Sequence, residues 1–263
     1  MSILKVNYHY CQWRLRLWFI AKRVNFINHN LNIIMYHYVR DVKDTSFPNL
    51  KVLSVNNFKK QIDYLKNNFN IINPIDLLGI SMGESFNLPH KSVLLTFDDG
   101  YTDHYQTVLP ILRKNNISAF FFPIGKSVLE NSLLSVNKIQ FLLGSGINIK
   151  KLLNQLFKII EENKDIYDIH SKDYYIKNFS IKNSWDTLEV SMFKRILQRA
   201  LPKSFRSKII DKLFNKYITN DEKQFSHELY MNEEQLKILY EEGMYIGSHG
   251  YRHNHYEICD EDE

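Results

Sequence analysis

The sequence predicts an α/β protein built on a parallel sheet, open or closed into a barrel. Three observations predict it. From Leu31 to Ile124 short apolar runs alternate with helical patterns, the rhythm of strand–helix–strand units. The clearest run, Ser92-Val93-Leu94-Leu95-Thr96-Phe97, lacks the polar alternation of a half-exposed strand and reads as buried on both faces. Two clusters of carboxylates and imidazoles, Asp98-Asp99 and His249/His253, directly follow such runs. Parallel α/β folds place their active sites at those strand ends.

Residues 1–30 form an aromatic and basic leader, densest from Trp13 to Arg23. It is expected as a helix packed on the domain, with peripheral contact to a membrane interface as the alternative. Its uninterrupted apolar run is Leu17 to Ala21, too short for a secretory signal. No stretch of about 18 apolar residues offers a transmembrane helix, and the expected location is the cytoplasm. Asn32 to Val39 is the first strand. Ser54 caps a helix with Val55, Phe58, Ile62 and Leu65 at helical spacing. Phe69 to Ile72 is a second strand, and Pro74 opens a brief helix ending near Gly79. The Ser92–Phe97 strand stops at Asp98-Asp99-Gly100. A helix through Val108, Leu109, Ile111 and Leu112 leads to a strand from Ser118 to Ile124.

From about 127 to 242 the patterns are helical only: Leu133 to Leu143, Ile149 to Ile160, Met192 to Ala200, Phe205 to Tyr217 and Glu233 to Tyr240. That stretch is long for one crossover, and we read it as a helical insertion within a domain spanning 31–263. Met244 to Ser248 is a returning strand, and the chain finishes in an acidic tail.

Composition narrows the function. The 263 residues are 44% hydrophobic and 24% charged, enough for a packed core. Thirty-four Lys and Arg against 29 Asp and Glu give a net charge of only +5, spread along the chain. That argues against nucleic acid, which needs a clustered basic face. Cys11 and Cys259 lie at opposite ends, which excludes a disulfide framework and a cysteine-rich zinc module.

Each polar cluster alone is ordinary: Asp-Asp-Gly after a strand is a common turn, and this chain has 10 His. Together, at two strand ends, they favour a metal site. Two His four residues apart reach one ion, and one carboxylate completes a three-ligand set with an open position. The other carboxylate is then free as a base beside it. The same donors suit a non-haem Fe(II) oxygenase, although the α/β pattern and the ligand order count against it.

Thr96-Phe97-Asp98-Asp99-Gly100-Tyr101 resembles the first motif of the polysaccharide deacetylases, the NodB-homology group of carbohydrate esterase family four. Ser248-His249-Gly250-Tyr251-Arg252-His253 resembles their second, with Gly250 in place of the usual Ser or Thr. Met35-Tyr36-His37-Tyr38-Val39 resembles the opening of members from surface-polysaccharide gene clusters. The resemblance covers roughly 31–125 and 244–256. It implies a partial (β/α) barrel of the deacetylase type. It also implies a divalent metal on Asp99, His249 and His253, usually Zn2+, with Co2+, Ni2+ or Mn2+ as replacements, and Asp98 as general base. The substrate it implies is an acetylated polysaccharide or oligosaccharide.

Tyr101 is expected at the substrate through its backbone N–H, and His37 as a side chain of the same mouth. Family members continue past the second motif with further strands and a late Leu-x-His whose His is the general acid. This chain ends ten residues after His253, so a C-terminally truncated domain with an open sheet edge is expected, prone to self-association. The competing reading is a catalytically impaired fragment that binds metal or a partner. An acid from within this chain would be His37 or His255.

Overall fold

All eight residues of β3 (Ser92–Asp99) are buried, and the sheet is assembled around them. In this computed structural model, which describes residues 31–82 and 88–253, β1 (Leu31–Tyr36) pairs with β3 from Leu31↔Ser92 to Tyr36↔Phe97. β2 (Asn70–Ile71) pairs with Ser92 and Val93, and β4 (Phe120–Pro123) with Thr96–Asp99. β5 (Tyr245–Ile246) adds to Phe120 and Phe121 of β4. Every pairing is parallel, in the order β1-β3-β4-β5 with β2 joined to β3. The sheet is not closed among the described residues. The fold is thus mixed α/β on a parallel sheet, as the sequence predicts. The leader, Cys11, Cys259, His255 and the acidic tail lie outside the described residues.

Helices connect the strands. α1 (Val55–Asn68) starts where the Ser54 side chain accepts the Asn57 N–H, and it buries Phe58, Ile62 and Leu65. α2 (Pro74–Ser81) follows β2. After β3 a π-helical turn, His104–Val108, runs into α3 (Leu109–Lys114). The core between helices and sheet is aromatic: the rings of Tyr36, Phe97 and Phe121 stack at 5.1 and 4.8 Å. Phe58 meets the first two edge-on.

The remaining helices are α4 (Gly125–Glu130), α5 (Ser135–Gly144), α6 (Ile149–Tyr167), α7 (Lys172–Phe179), α8 (Leu188–Arg195) with a π-helical turn, Ile196–Ala200, at its end, α9 (Lys203–Tyr217), α10 (Glu222–Leu229) and α11 (Glu233–Glu241). The described residues divide into two compact units. One holds the chain up to Asp41, Val52–Asn131 and the part from His227; the other holds Val42–Lys51 and Ser132–Ser226. The helical unit has its own core, including Leu152, Leu156, Ile160, Phe193, Ile196, Ile209 and Leu213. Its short first segment belongs to that packing, with Phe47 edge-on to Phe141 at 4.8 Å. Buried Lys138 places its Nζ 2.6 Å from both Asp211 and Glu222, so the charge is paired twice. Among the described residues no helix is long and apolar enough to cross a membrane.

Two features depart from the sequence reading. β1 ends at Tyr36 rather than Val39, because residues 37–40 bond to side chains after β3 rather than to its backbone. Helices α4, α7 and α10 carry no periodic apolar face long enough to read; α7 buries only Tyr175.

Candidate metal centre

Asp98 and Asp99 close β3, each only 5% exposed. The chain leaves the strand through two left-handed residues, Asp99 at φ 73° and Gly100 at φ 72°. Asp is among the few side chains that tolerate this conformation. Gly100 is required for a second reason: a Cβ there would lie 2.8 Å from Pro123 Cβ and 2.9 Å from its Cα.

His249 is set by the neighbouring strand end. The ladder runs on past β5, with Gly247 N–H donating to Phe121 O at 2.8 Å and His249 N–H to Pro123 O at 3.1 Å. The turn beyond returns to α4, where Gly125 and Lys126 donate to the carbonyls of Gly250 and Tyr251. Gly250 adopts φ 80°, a backbone that favours glycine over the Ser or Thr of the resembled motif. His253 follows at φ 55°.

The structure brings Asp99, His249 and His253 together: one ligand-type atom of each lies within 4.8 Å of the others. Asp99 Oδ1 is 3.4 Å from His249 Nε2 and 3.7 Å from His253 Nε2. Burial, against the opposing pull of the Asp99 charge, lowers His249 to about 4. Its imidazole is therefore neutral near pH 7, the form that ligates metals, and its contact with Asp99 is not an ion pair.

Asp99 Oδ1 is buried and has no hydrogen-bond partner, which is costly for an anion. Its other oxygen, Oδ2, accepts the Tyr101 hydroxyl at 2.7 Å. An orphaned carboxylate oxygen facing two imidazole nitrogens fits a cation. Ligand atoms about 2.0–2.2 Å from a tetrahedral ion stand roughly 3.3–3.6 Å apart, close to the observed spacings.

Asp98 is pushed up to about 7, first by burial and then by the charge of Asp99. A carboxyl poised near neutrality is suited to proton transfer. His37 Nε2 lies 4.0 Å from Asp99 Oδ2, and its side chain is 41% exposed. Tyr101, expected at the substrate, has a fully buried side chain stacked on Tyr38 at 3.9 Å and on Tyr230 at 5.9 Å. That side chain holds Asp99 and presents nothing to solvent.

Sequence reading missed Asp103 and His104. Asp103 is buried and accepts from Val39 N–H and from Arg40; His104 bonds to the carbonyl of His37. An acid in a first helical turn ordinarily signals only a favourable helix dipole, and no local pattern marks the contacts across the fold.

Residues 86–198 match the family described as polysaccharide deacetylase. The match takes in Asp98 and Asp99 and stops before His249 and His253. YxkH of Bacillus subtilis (strain 168), named as a polysaccharide deacetylase, is 30% identical over 121 residues, 46% of this chain and 41% of that protein. Among solved structures, a de-N-acetylase from Aggregatibacter actinomycetemcomitans is 32% identical over 37% of this chain and 38% of its own, with a TM-score of 0.32. IcaB from Ammonifex degensii is 29% identical over 39% and 41%, also with a TM-score of 0.32. The chain thus spans about two-fifths of the length of these relatives.

Proposed function

We propose, on the premise that residues 86–198 belong to the polysaccharide deacetylase family, that this chain hydrolyses acetyl groups. The substrate is a surface sugar polymer or its precursor, with the acetyl group N- or O-linked. One observation carries the reading: the orphaned Asp99 Oδ1 faces His249 and His253 with Asp98 beside it. Asp99, His249 and His253 would hold a divalent metal, zinc by preference. Bound there, it would supply a Lewis acid for the acetyl carbonyl and lower the pKa of water.

The rest is done by the chain. Asp98 removes a proton from the water attacking the carbonyl. Tyr101 keeps Asp99 Oδ2 occupied, so that Oδ1 is the oxygen turned to the two imidazoles. When the tetrahedral intermediate collapses, its C–N or C–O bond breaks and the leaving nitrogen or oxygen takes a proton. His37, half-exposed at the same cluster, is placed to donate it. The Fe(II) oxygenase reading uses the same three donors, and the family match favours hydrolysis over it.

The test is acetate release from acetylated oligosaccharide, with metal content measured alongside. Zinc-loaded protein is expected to hold close to one equivalent and to release acetate. His249→Ala and Asp99→Ala are expected to lose most of both. Unchanged metal content in the two variants would overturn the site.

A further inference from the structure

Four consecutive residues beyond the end of β1 are each gripped by residues that follow the Asp98–Asp99 pair. His104 Nε2 lies 2.9 Å from the His37 carbonyl oxygen. A carbonyl only accepts, so Nε2 carries the proton, and the buried Nδ1, which has no hydrogen-bond partner, is bare. The Tyr38 ring stacks on Tyr101 at 3.9 Å, and the Arg40 guanidinium lies 5.2 Å from its centroid. Val39 N–H donates to Asp103 Oδ2 at 3.1 Å. Arg40 donates from Nε to the same oxygen at 2.8 Å and from Nη2 to Oδ1 at 2.6 Å, the two-pronged geometry that fixes orientation best.

This grip replaces a missing ladder. β1 ends at Tyr36, and beyond it the backbone pairs at the Val39↔Leu53 bridge, with hydrogen bonds Arg40 N–H to Leu53 O and Leu53 N–H to Tyr38 O. Those bonds do not involve His37, whose carbonyl oxygen is met by His104 Nε2.

We propose that Asp103 and His104 are positioning residues, clamping residues 37–40 so that the His37 imidazole stands over the Asp99–His249–His253 cluster. The inference rests on the reading of His37 as proton donor. Proton transfer tolerates little misplacement: a shift of about 1 Å costs up to roughly 10²-fold in rate. The Tyr-Thr-Asp-His run after the acidic pair thereby fastens a second strand end to the one that bears the carboxylates.

The test uses the full zinc-loaded chain, with acetate released from an N-acetylglucosamine pentamer as the measure of turnover. Carbon relaxation at the His37 ring is a second readout that needs no turnover. Asp103→Asn and His104→Gln are made alone and on His37→Ala. Each single variant is expected to lower kcat about tenfold, with KM and zinc affinity within about twofold of the parent. On His37→Ala neither lowers kcat further, and the His37 ring gains motion in both single variants. An equal fall in the two backgrounds, a parallel loss of zinc, or an unaltered ring overturns the proposal. If the parent chain releases no acetate, the deacetylase reading fails while the ring still decides: added motion in the variants supports the clamp, and equal order overturns it. Should the buried variants not fold, Arg40→Met, a quarter-exposed partner of Asp103, undergoes the same measurements.

Discussion

Replacing Asp99 by Asn separates a ligand from a structural carboxylate, because it changes charge and little else. Asn accepts the left-handed backbone at φ 73° as readily as Asp. Its amide oxygen can still receive the Tyr101 hydroxyl. What disappears is a buried anion with one orphaned oxygen, adjacent to a second carboxyl that its charge helps to push up to about 7. Without metal, Asp99→Asn should therefore melt no lower than the parent. With metal the order reverses. Zinc at about 100 times its dissociation constant stabilises the parent by about 2.7 kcal/mol. At roughly 2–4 °C per kcal/mol, that raises Tm by about 5–11 °C. Partners of metal ligands are already worth 10–100-fold in affinity, so losing a charged ligand should weaken binding by at least about 100-fold. The same zinc then adds only about 0.4 kcal/mol, or roughly 1–2 °C. Thermal melts of chelator-stripped and zinc-loaded protein measure both halves. A zinc-induced rise as large in Asp99→Asn as in the parent would refute the reasoning.

Three other predictions follow from the same geometry. Asp98→Asn should retain its metal while acetate release falls about 10²–10⁴-fold, the usual worth of a positioned base; lost metal there, with metal retained in Asp99→Asn, would reverse the two roles. Burial pushes His104 from 6.5 down to about 4, against the bond to His37, so as pH falls the unfolded chain takes up the proton first. Folding should then lose about 2 kcal/mol from this residue between about pH 7.5 and 5, with full stability present only above about pH 7.5. Urea midpoints of His104→Gln should lack that slope, and identical slopes in the two proteins would contradict the buried neutral imidazole. Gly100→Ala should cost about 2–4 kcal/mol in urea unfolding, combining left-handed strain with the 2.8 Å approach to Pro123 Cβ; a loss under about 1 kcal/mol would show the turn to be slack.

Much of this was legible in the sequence where chemistry is local. The Ser92–Phe97 run announces a buried strand, and β3 is buried throughout. The Met244–Ser248 run was readable although regular pairing is confined to Tyr245 and Ile246, since the ladder continues through Gly247 and His249. That the acidic pair lies near His249 and His253 could be read because strand ends in a parallel sheet converge, whatever the loops between them do; that Asp99 rather than Asp98 is the one beside the imidazoles came only from the resemblance. The grip on residues 37–40 could not. Its bonds join positions 63 to 67 residues apart, and in the sequence Asp103 and His104 are only polar residues opening a helix. Nor does the sequence show that the Tyr101 side chain is enclosed between Tyr38 and Tyr230.

The helical unit is threaded in two pieces, and this bears on how it could be removed. Deleting 132–226 alone would strand Phe47, which meets Phe141 and Phe225, and Leu50, which lies against Gly144. Two apolar side chains would be left on a tether with nothing to cover them, an invitation to aggregate. The excision has to take Val42–Lys51 as well. The chain allows it: Arg40 and Tyr38 already bond to Leu53 across the base of that excursion, so its two ends are neighbours that a short turn could join. A double excision of this kind would yield the α/β unit as a minimal scaffold, with the acidic pair, both imidazoles and the clamp on His37 all retained.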